Sequence, residues 1–342
     1  MATASRSNAF DATVAAVHDD ARAWAGRRVL VTGADGFLGS HLTERLLSLG
    51  ATVAVLVRPS SVVGTVGHAL RNLATVKDRL DRIIASDVAG SDATAAILDW
   101  QPERILHLAA DAYVDRSFEH PGEVLRSNLD GTLRVLEAAR RCPRLERVVV
   151  TSSSEIYGDA QTPAIDETHP LAPTSPYAAS KLAADRLAYA YHRTYHLPVA
   201  IIRPFNTFGP RHPYDVIPKL VARALRGETL VIHGSGEQSR DFSYVDDMVD
   251  AFVLMGDHPA AIGRVVNFGT GVATPIRALV ERIVALTGSG SPIEHGPART
   301  AEVSRLCCDY GLATRLFDWR PRVSLDEGLA RSIAWAREQR GG

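Results

Sequence analysis

Apolar residues in this chain come in short continuous runs, separated by stretches with helical spacing. Val29-Leu30-Val31, Val53-Ala54-Val55-Leu56-Val57, Ile83-Ile84-Ala85 and Val148-Val149-Val150 are runs of this kind. They are rich in β-branched residues and flanked by polar positions, which predicts strands, the first and the last of these buried and the third a short one. Residues 104–110 read as a further buried strand. Between the runs, apolar residues fall three and four apart, as at Leu42, Leu46 and Leu49, the spacing of one helix face. Alternating strands and helices predict an α/β fold with a doubly wound parallel Rossmann sheet. After about Arg203 the pattern changes. Residues 204–210 are rich in turn formers, 217–225 read as an apolar helix, and 229–234 as a strand and turn. Residues 240–247 lead into a helix through Met255, and 265–269 read as a late strand returning to the sheet.

The turn after the first strand carries the first chemical signal. Gly33, Gly36 and Gly39 recur three apart, between a strand and an apolar-faced helix. Glycine lets a backbone approach a pyrophosphate, and the helix N-terminus offers it free N–H groups. The loop residues Gly33, Asp35, Gly36, Phe37 and Leu38 are therefore expected to bind a dinucleotide. The second strand ends in Arg58, with no acid there for the ribose hydroxyls of NAD. An arginine suits a 2′-phosphate instead, so the cofactor is expected to be NADP or NAD, with Arg58 favouring NADP. Asp87 and Val88 are placed by the adenine, and Leu108, Ala109 and Ala110 complete the cofactor set.

The second signal lies in residues 152–181. Ser153, Ser154 and Glu155 follow a buried strand, at the end where open α/β sheets bind ligands. Ser175-Pro176 then opens a helix as N-cap and first residue. Tyr177 and Lys181 are four apart and share one face. An ammonium beside a phenol lowers its pKa, which makes a base for a hydroxyl proton.

These motifs stand in order with His107-Leu108-Ala109-Ala110, Asn128 with Gly131-Thr132, Arg203-Pro204-Phe205-Asn206 with Gly209-Pro210, and Arg240-Asp241-Phe242. Together they resemble the extended short-chain dehydrogenase/reductase family in its nucleotide-sugar epimerase/dehydratase branch, over nearly all of residues 27–337. The segment 110–119 is similar to that of sugar-nucleotide 4,6-dehydratases, but Ala112 and Tyr113 stand where a Ser and a His are usual. Ser153-Ser154-Glu155 resembles the corresponding triplets of GDP-mannose and dTDP-glucose 4,6-dehydratases, although Ser154 leaves no Asp as acid for the leaving hydroxyl. The resemblance implies catalysis by Ser153, Glu155, Tyr177 and Lys181. Tyr177 takes the C4 hydroxyl proton, hydride passes from C4 to a tightly bound, recycled nicotinamide, and Glu155 takes the C5 proton as water leaves from C6. Ser154, Asn206, Arg240 and Arg305 are candidates for the nucleotide-sugar substrate. A 4-epimerase is the main alternative, with a UDP-glucuronate decarboxylase, a 5,6-dehydratase and a cofactor-sensing regulator behind it.

The implied domains are an extension at 1–26, a dinucleotide-binding domain at 27–204 with a return segment near 240–268, and a sugar-nucleotide lobe at 205–239 and 269–342. In the extension Phe10, Val14, Ala15, Val17 and Ala21 outline a faint helix face. Segments 122–141 and 176–195 read as long helices with apolar stripes, and the resemblance implies that they build a four-helix homodimer contact.

Composition narrows the remaining classes. The 342 residues carry a formal net charge of -1, so no polybasic field for nucleic acid or an anionic membrane is expected. No apolar run approaches the ~20 residues of a membrane span. The three Cys match no metal or disulfide spacing, and no His/Asp/Glu cluster has ligand spacing, so no metal is assigned. A cytoplasmic enzyme is the expectation.

Overall fold

The computed structural model describes residues 21–62, 70–299 and 301–341. The helix face proposed in the extension, apart from Ala21, lies outside them. The strands are β1 (Arg28–Thr32), β2 (Thr52–Val57), β3 (Arg82–Ala85), β4 (Arg104–His107), β5 (Arg147–Thr151), β6 (Val199–Pro204), β7 (Asn206–Phe208), β8 (Leu230–His233), β9 (Ser239–Tyr244), β10 (Val265–Phe268), β11 (Ala273–Pro275) and β12 (Ile293–Gly296). Seven of them form one parallel sheet in the order β10-β6-β5-β4-β1-β2-β3. The strand order reverses at β1, between β2 and β4. Such a switch point leaves a crevice beyond the carboxyl ends of the strands.

Successive side chains of a strand point to opposite faces, and both faces are covered. Val29 and Val31 pack with Leu42 and Leu46 of the Phe37–Ser48 helix and with Met248 and Phe252 of the Val245–Asp257 helix. Leu30 belongs to the opposite layer, with Ile97, Val135 and Ala188 of the helices Ser91–Trp100, Gly131–Ala139 and Pro176–Tyr195. The second region adds two small sheets, β11-β9-β7 and β12-β8. β10 returns to the large sheet beside β6.

Three segments differ from the sequence reading, each for a local reason. The strand expected over 104–110 ends at His107: the Leu108 amide makes the last backbone bond to β1, at the Thr32 carbonyl, and the Ala109 amide turns to the Thr32 hydroxyl. Residues 204–210 are not all turn: Asn206–Phe208 pairs in parallel with β9. The helix expected over 122–141 runs as Pro121–Leu125, a π-helical turn Arg126–Asp130, and Gly131–Ala139. Pro176–Tyr195 is one helix, with the Ser175 hydroxyl accepting the Ala178 N–H at 3.1 Å and Pro176 as first residue. Cys142, Cys307 and Cys308 are free and buried.

Candidate active site

A cleft of about 1600 Å³ opens at the carboxyl ends of β1, β2, β4 and β5. A pocket for one small ligand takes ~300–1,000 Å³, so this one has room for two. Its cofactor side is made of backbone. Gly33 follows β1 at φ +69, where a Cβ would sit 2.8 Å from backbone atoms of Ala109. A Cβ on Gly39 would lie 2.3 Å from the Gly33 carbonyl oxygen. The cradle exists only because these side chains are absent. Gly36, Phe37 and Leu38 line the cleft where the Phe37–Ser48 helix begins, and the first amides of a helix have no partner within it. Asp35 also lines the cleft and accepts the Asn72 N–H at 3.1 Å.

The remaining cofactor-side residues come together here. Val88, Leu108, Ala109 and Ala110 line the cleft. Arg58 donates to the Ala110 carbonyl at 3.4 Å, and Asp87 pairs with Arg126 at 2.5 Å. A cradle that a Cβ would fill, a helix start and an arginine at the end of β2 fit a nicotinamide dinucleotide.

The catalytic candidates converge on the other wall. Ser153 caps the short turn Ser154–Tyr157, its hydroxyl accepting the Glu155 N–H at 3.2 Å. Tyr177 and Lys181 are both buried on the Pro176–Tyr195 helix. The sequence reading expects Lys181 to lower the Tyr177 pKa. In the protein alone the phenol is shifted up instead, because burial outweighs the neighbouring Ser153 hydroxyl. The Lys181 ammonium is engaged elsewhere, donating to the Thr151 carbonyl. Burial lowers its own pKa to about 8, against the opposing pull of Asp185.

Glu155 is half-buried in the same wall, and among the described residues its carboxylate accepts no hydrogen bond. Burial raises its pKa, Arg240 offsets part of this, and the charges of Asp215, Asp159 and Glu302 push it further up. These are the conditions that make a carboxylate a stronger base.

Behind the wall, Asp185 pairs with the buried Arg203 at 2.9 Å, and Arg203 donates to the Tyr157 hydroxyl at 2.7 Å. Tyr157 in turn donates to Asn267 at 2.7 Å. This network ties the Tyr177 helix to β6 and β10.

The substrate candidates divide. Ser154, Asn206 and Arg240 line the cleft, and the buried Asn206 Oδ1 has no partner among the described residues. Arg240 donates to the Val303 carbonyl at 2.7 Å. Arg305 is not among the cleft residues; it is exposed and donates to the Pro163 carbonyl at 2.9 Å.

Other lining residues carried no sequence signal as site residues. Lys219 donates to the Tyr113 hydroxyl at 3.0 Å, Tyr214 packs beside Tyr113 at 5.2 Å, and Asp215 holds φ at 98°. Only Tyr113 was visible beforehand, as a departure from the dehydratase pattern. His107 sits beneath the cleft with both ring nitrogens bonded, to Thr32 at 2.7 Å and Thr132 at 3.0 Å.

Comparison with known proteins agrees with this geometry. The sequence pattern of the GDP-mannose 4,6-dehydratase family matches residues 30–332. The chain is 36% identical to a UDP-glucose 4-epimerase of Mycolicibacterium smegmatis, over 91% of this chain and 99% of that one. It is 34% identical to a dTDP-glucose 4,6-dehydratase of an Actinoplanes species, over 92% and 98%. Among solved structures, the dTDP-glucose 4,6-dehydratase DesIV of Streptomyces venezuelae, with NAD and TYD bound, superposes with a TM-score of 0.83 at 34% identity, over 92% of this chain and 98% of that one. The glycine cradle, the Tyr177/Lys181 helix and the match over residues 30–332 place this chain in the GDP-mannose 4,6-dehydratase family, within the nucleotide-sugar epimerases and dehydratases of the extended short-chain dehydrogenase/reductase fold.

Proposed function

We propose that the protein is an NAD(P)-dependent nucleoside-diphosphate-hexose 4,6-dehydratase, forming a 4-keto-6-deoxy sugar nucleotide. Glu155 carries this reading: a carboxylate with a raised pKa and no hydrogen bond stands in the same wall as Ser153 and Tyr177. Bound along the glycine turn, a nicotinamide dinucleotide supplies a hydride acceptor that later returns the hydride. Tyr177 takes the C4 hydroxyl proton, and Ser153 hydrogen-bonds the same oxygen as it becomes a carbonyl. Lys181, one helix turn on, is assigned to the cofactor ribose and to favouring the phenolate against the effect of burial. The new ketone acidifies C5–H, and Glu155 removes that proton. Ser154 offers no carboxyl, and we assign the acid for the departing C6 oxygen to Glu155 once it carries the C5 proton. Asn206 and Arg240 are assigned to the nucleotide and its diphosphate, arginine matching phosphate in a bidentate way.

The test is Glu155→Gln, which keeps the shape and removes the base. Losing a general base typically costs ~10²–10⁴ in rate. The variant should still oxidise C4, seen as reduced-nicotinamide absorbance, while product release and C5 exchange with deuterated water fall together. Turnover without C5 exchange or water loss in the wild type, with Glu155→Gln nearly silent, would make the protein a 4-epimerase. The mycobacterial 4-epimerase supports that second reading.

Arg58 at the end of β2, with no acid beside it, favours NADP over NAD. The segment Val114–Leu125 packs against the Pro176–Tyr195 helix, and these elements expose Phe118, Leu125, Tyr189 and Tyr195. We assign this face to a homodimer contact. Sedimentation should give a dimer mass, and Leu125→Glu a monomer; a wild-type monomer at micromolar concentration removes the assignment. No helix among the described residues is long and apolar enough to cross a membrane. The three free thiols are consistent with a reducing cytoplasm.

A further inference from the structure

His107 ends β4 directly beneath the cleft, 3% exposed, and two hydrogen-bonded arms leave it. The first runs through its side chain. Thr132 donates its one hydroxyl proton to the Asn128 carbonyl at 2.6 Å, so towards His107 it can only accept. Nε2 of His107 therefore carries the ring proton and donates to Thr132 at 3.0 Å. In the neutral ring Nδ1 is then the acceptor, and it takes the Thr32 hydroxyl at 2.7 Å. Thr32 in turn accepts the Ala109 N–H at 3.1 Å. Beyond Thr132 the chain continues: Asn128 Nδ2 donates to the Ser180 hydroxyl at 2.9 Å, and Ser180 donates to the Tyr177 carbonyl at 2.7 Å. The second arm is backbone. The Thr151 hydroxyl donates to the His107 carbonyl at 2.8 Å, and the Thr151 carbonyl receives the Lys181 ammonium.

One residue thus touches three things at once. Its ring is fixed by Thr32, immediately before Gly33 of the cofactor cradle. Its side-chain arm ends at the first turn of the Tyr177 helix, and its carbonyl arm ends at Lys181. Thr32, Asn128, Thr132 and Ser180 are all buried, and the donors and acceptors of the chain are matched. A buried polar network of this completeness specifies a geometry more than it adds stability.

We propose that His107 is a positioning residue that sets Tyr177 and Lys181 relative to the cofactor cradle. It acts only through its partners and touches neither substrate nor cofactor. The claim about catalysis rests on the reading of the reaction given above, whereas the claim about geometry does not.

The test uses the full-length protein with its dinucleotide. His107→Asn keeps an acceptor near the Nδ1 position and loses the reach to Thr132. Thr132→Val cuts the same joint without touching the histidine. Displacements on the scale of 1 Å can cost ~10²-fold in rate. Both variants should lower kcat by ~10- to 100-fold while KM and dinucleotide retention stay near wild type. The isotope effect from a C4-deuterated hexose should rise as hydride transfer becomes limiting. His107→Gln, which reaches Thr132 again, should recover part of the rate. Crystal structures should show the Tyr177 hydroxyl displaced by ~0.5 Å or more, the tolerance of a productive site. If kcat falls only in proportion to folded protein, the isotope effect is unchanged and Tyr177 stays in place, the proposal is overturned. Should the wild type oxidise no nucleoside-diphosphate hexose at C4, the proposed reaction falls, and the crystal structures alone decide on His107.

Discussion

The two walls of the cleft are built by different means. The centre of the wall assigned to the dinucleotide is backbone: Gly33, Gly36, Gly39 and the start of one helix, all within one continuous stretch. The wall assigned to the substrate is side chain: Ser153 and Glu155 come from one turn, and Asn206, Lys219, Arg240 and Glu302 from four further segments. A backbone wall tolerates no added atoms but asks little of side-chain chemistry. A side-chain wall can be retuned one residue at a time. Members of one fold can therefore keep the dinucleotide and change the sugar chemistry. The epimerase and dehydratase relatives, at 36% and 34% identity, are the expected result.

The sharpest way to break this contrast is Gly39→Ala. Its Cβ would meet the Gly33 carbonyl oxygen at 2.3 Å, so the backbone must move. We expect ~1–3 kcal/mol of lost stability and no dinucleotide released when the purified variant is denatured. An Ala at this position that still carried full dinucleotide would refute the backbone account of this wall.

A second test is an acid response from beneath the cleft. His107 takes its proton at about 3 in the native protein because burial disfavours the charged ring, whereas an unfolded imidazole takes it near 6.5. Between those values the unfolded state binds the extra proton. Stability is complete above about 6.5 and falls as the pH falls, by at most about 1.4 kcal/mol per pH unit. Urea melts across this window should show that slope, and His107→Asn should flatten it.

The smallest effect tests Arg58, the charged side chain at the end of β2. Arg58→Glu should weaken NADP by roughly tenfold, the scale of one charge-assisted hydrogen bond, and should leave NAD bound as well or better. Titrations of both dinucleotides would show it, and equal losses for the two would place Arg58 away from the 2′ position.

The same contrast explains what could be seen in advance. The glycine turn and the Tyr177/Lys181 pair are local patterns, fixed by spacings of three and four residues, so they are legible in the chain. Strands β1, β2 and β3 are likewise continuous apolar runs. Lys219 lies one turn into a helix whose apolar face is Ile217, Leu220, Val221 and Ala224, and nothing local sends it to Tyr113. Asp215 takes a backbone conformation that favours glycine, which no propensity anticipates. The charge of Arg305 suits a phosphate, but charge says nothing of direction. The Val199–Pro204 strand received no assignment, although its apolar run is as strong as that of β5. The strand β7 is three residues among turn formers and exists only because β9 pairs with it.

The π-helical turn at Arg126–Asp130 carries a consequence for how this chain can vary in length. A π turn holds one residue more than the α turn it replaces, and Asn128 lies within it, between Asp111 and Ser180. Deleting a single residue there would restore an ordinary α-helix, the least costly local outcome. It would also rotate Asn128 by about 100°, away from both partners. The segment is thus a register lock: substitutions can accumulate along its outer face, while insertions and deletions are barred by a contact on the inner one.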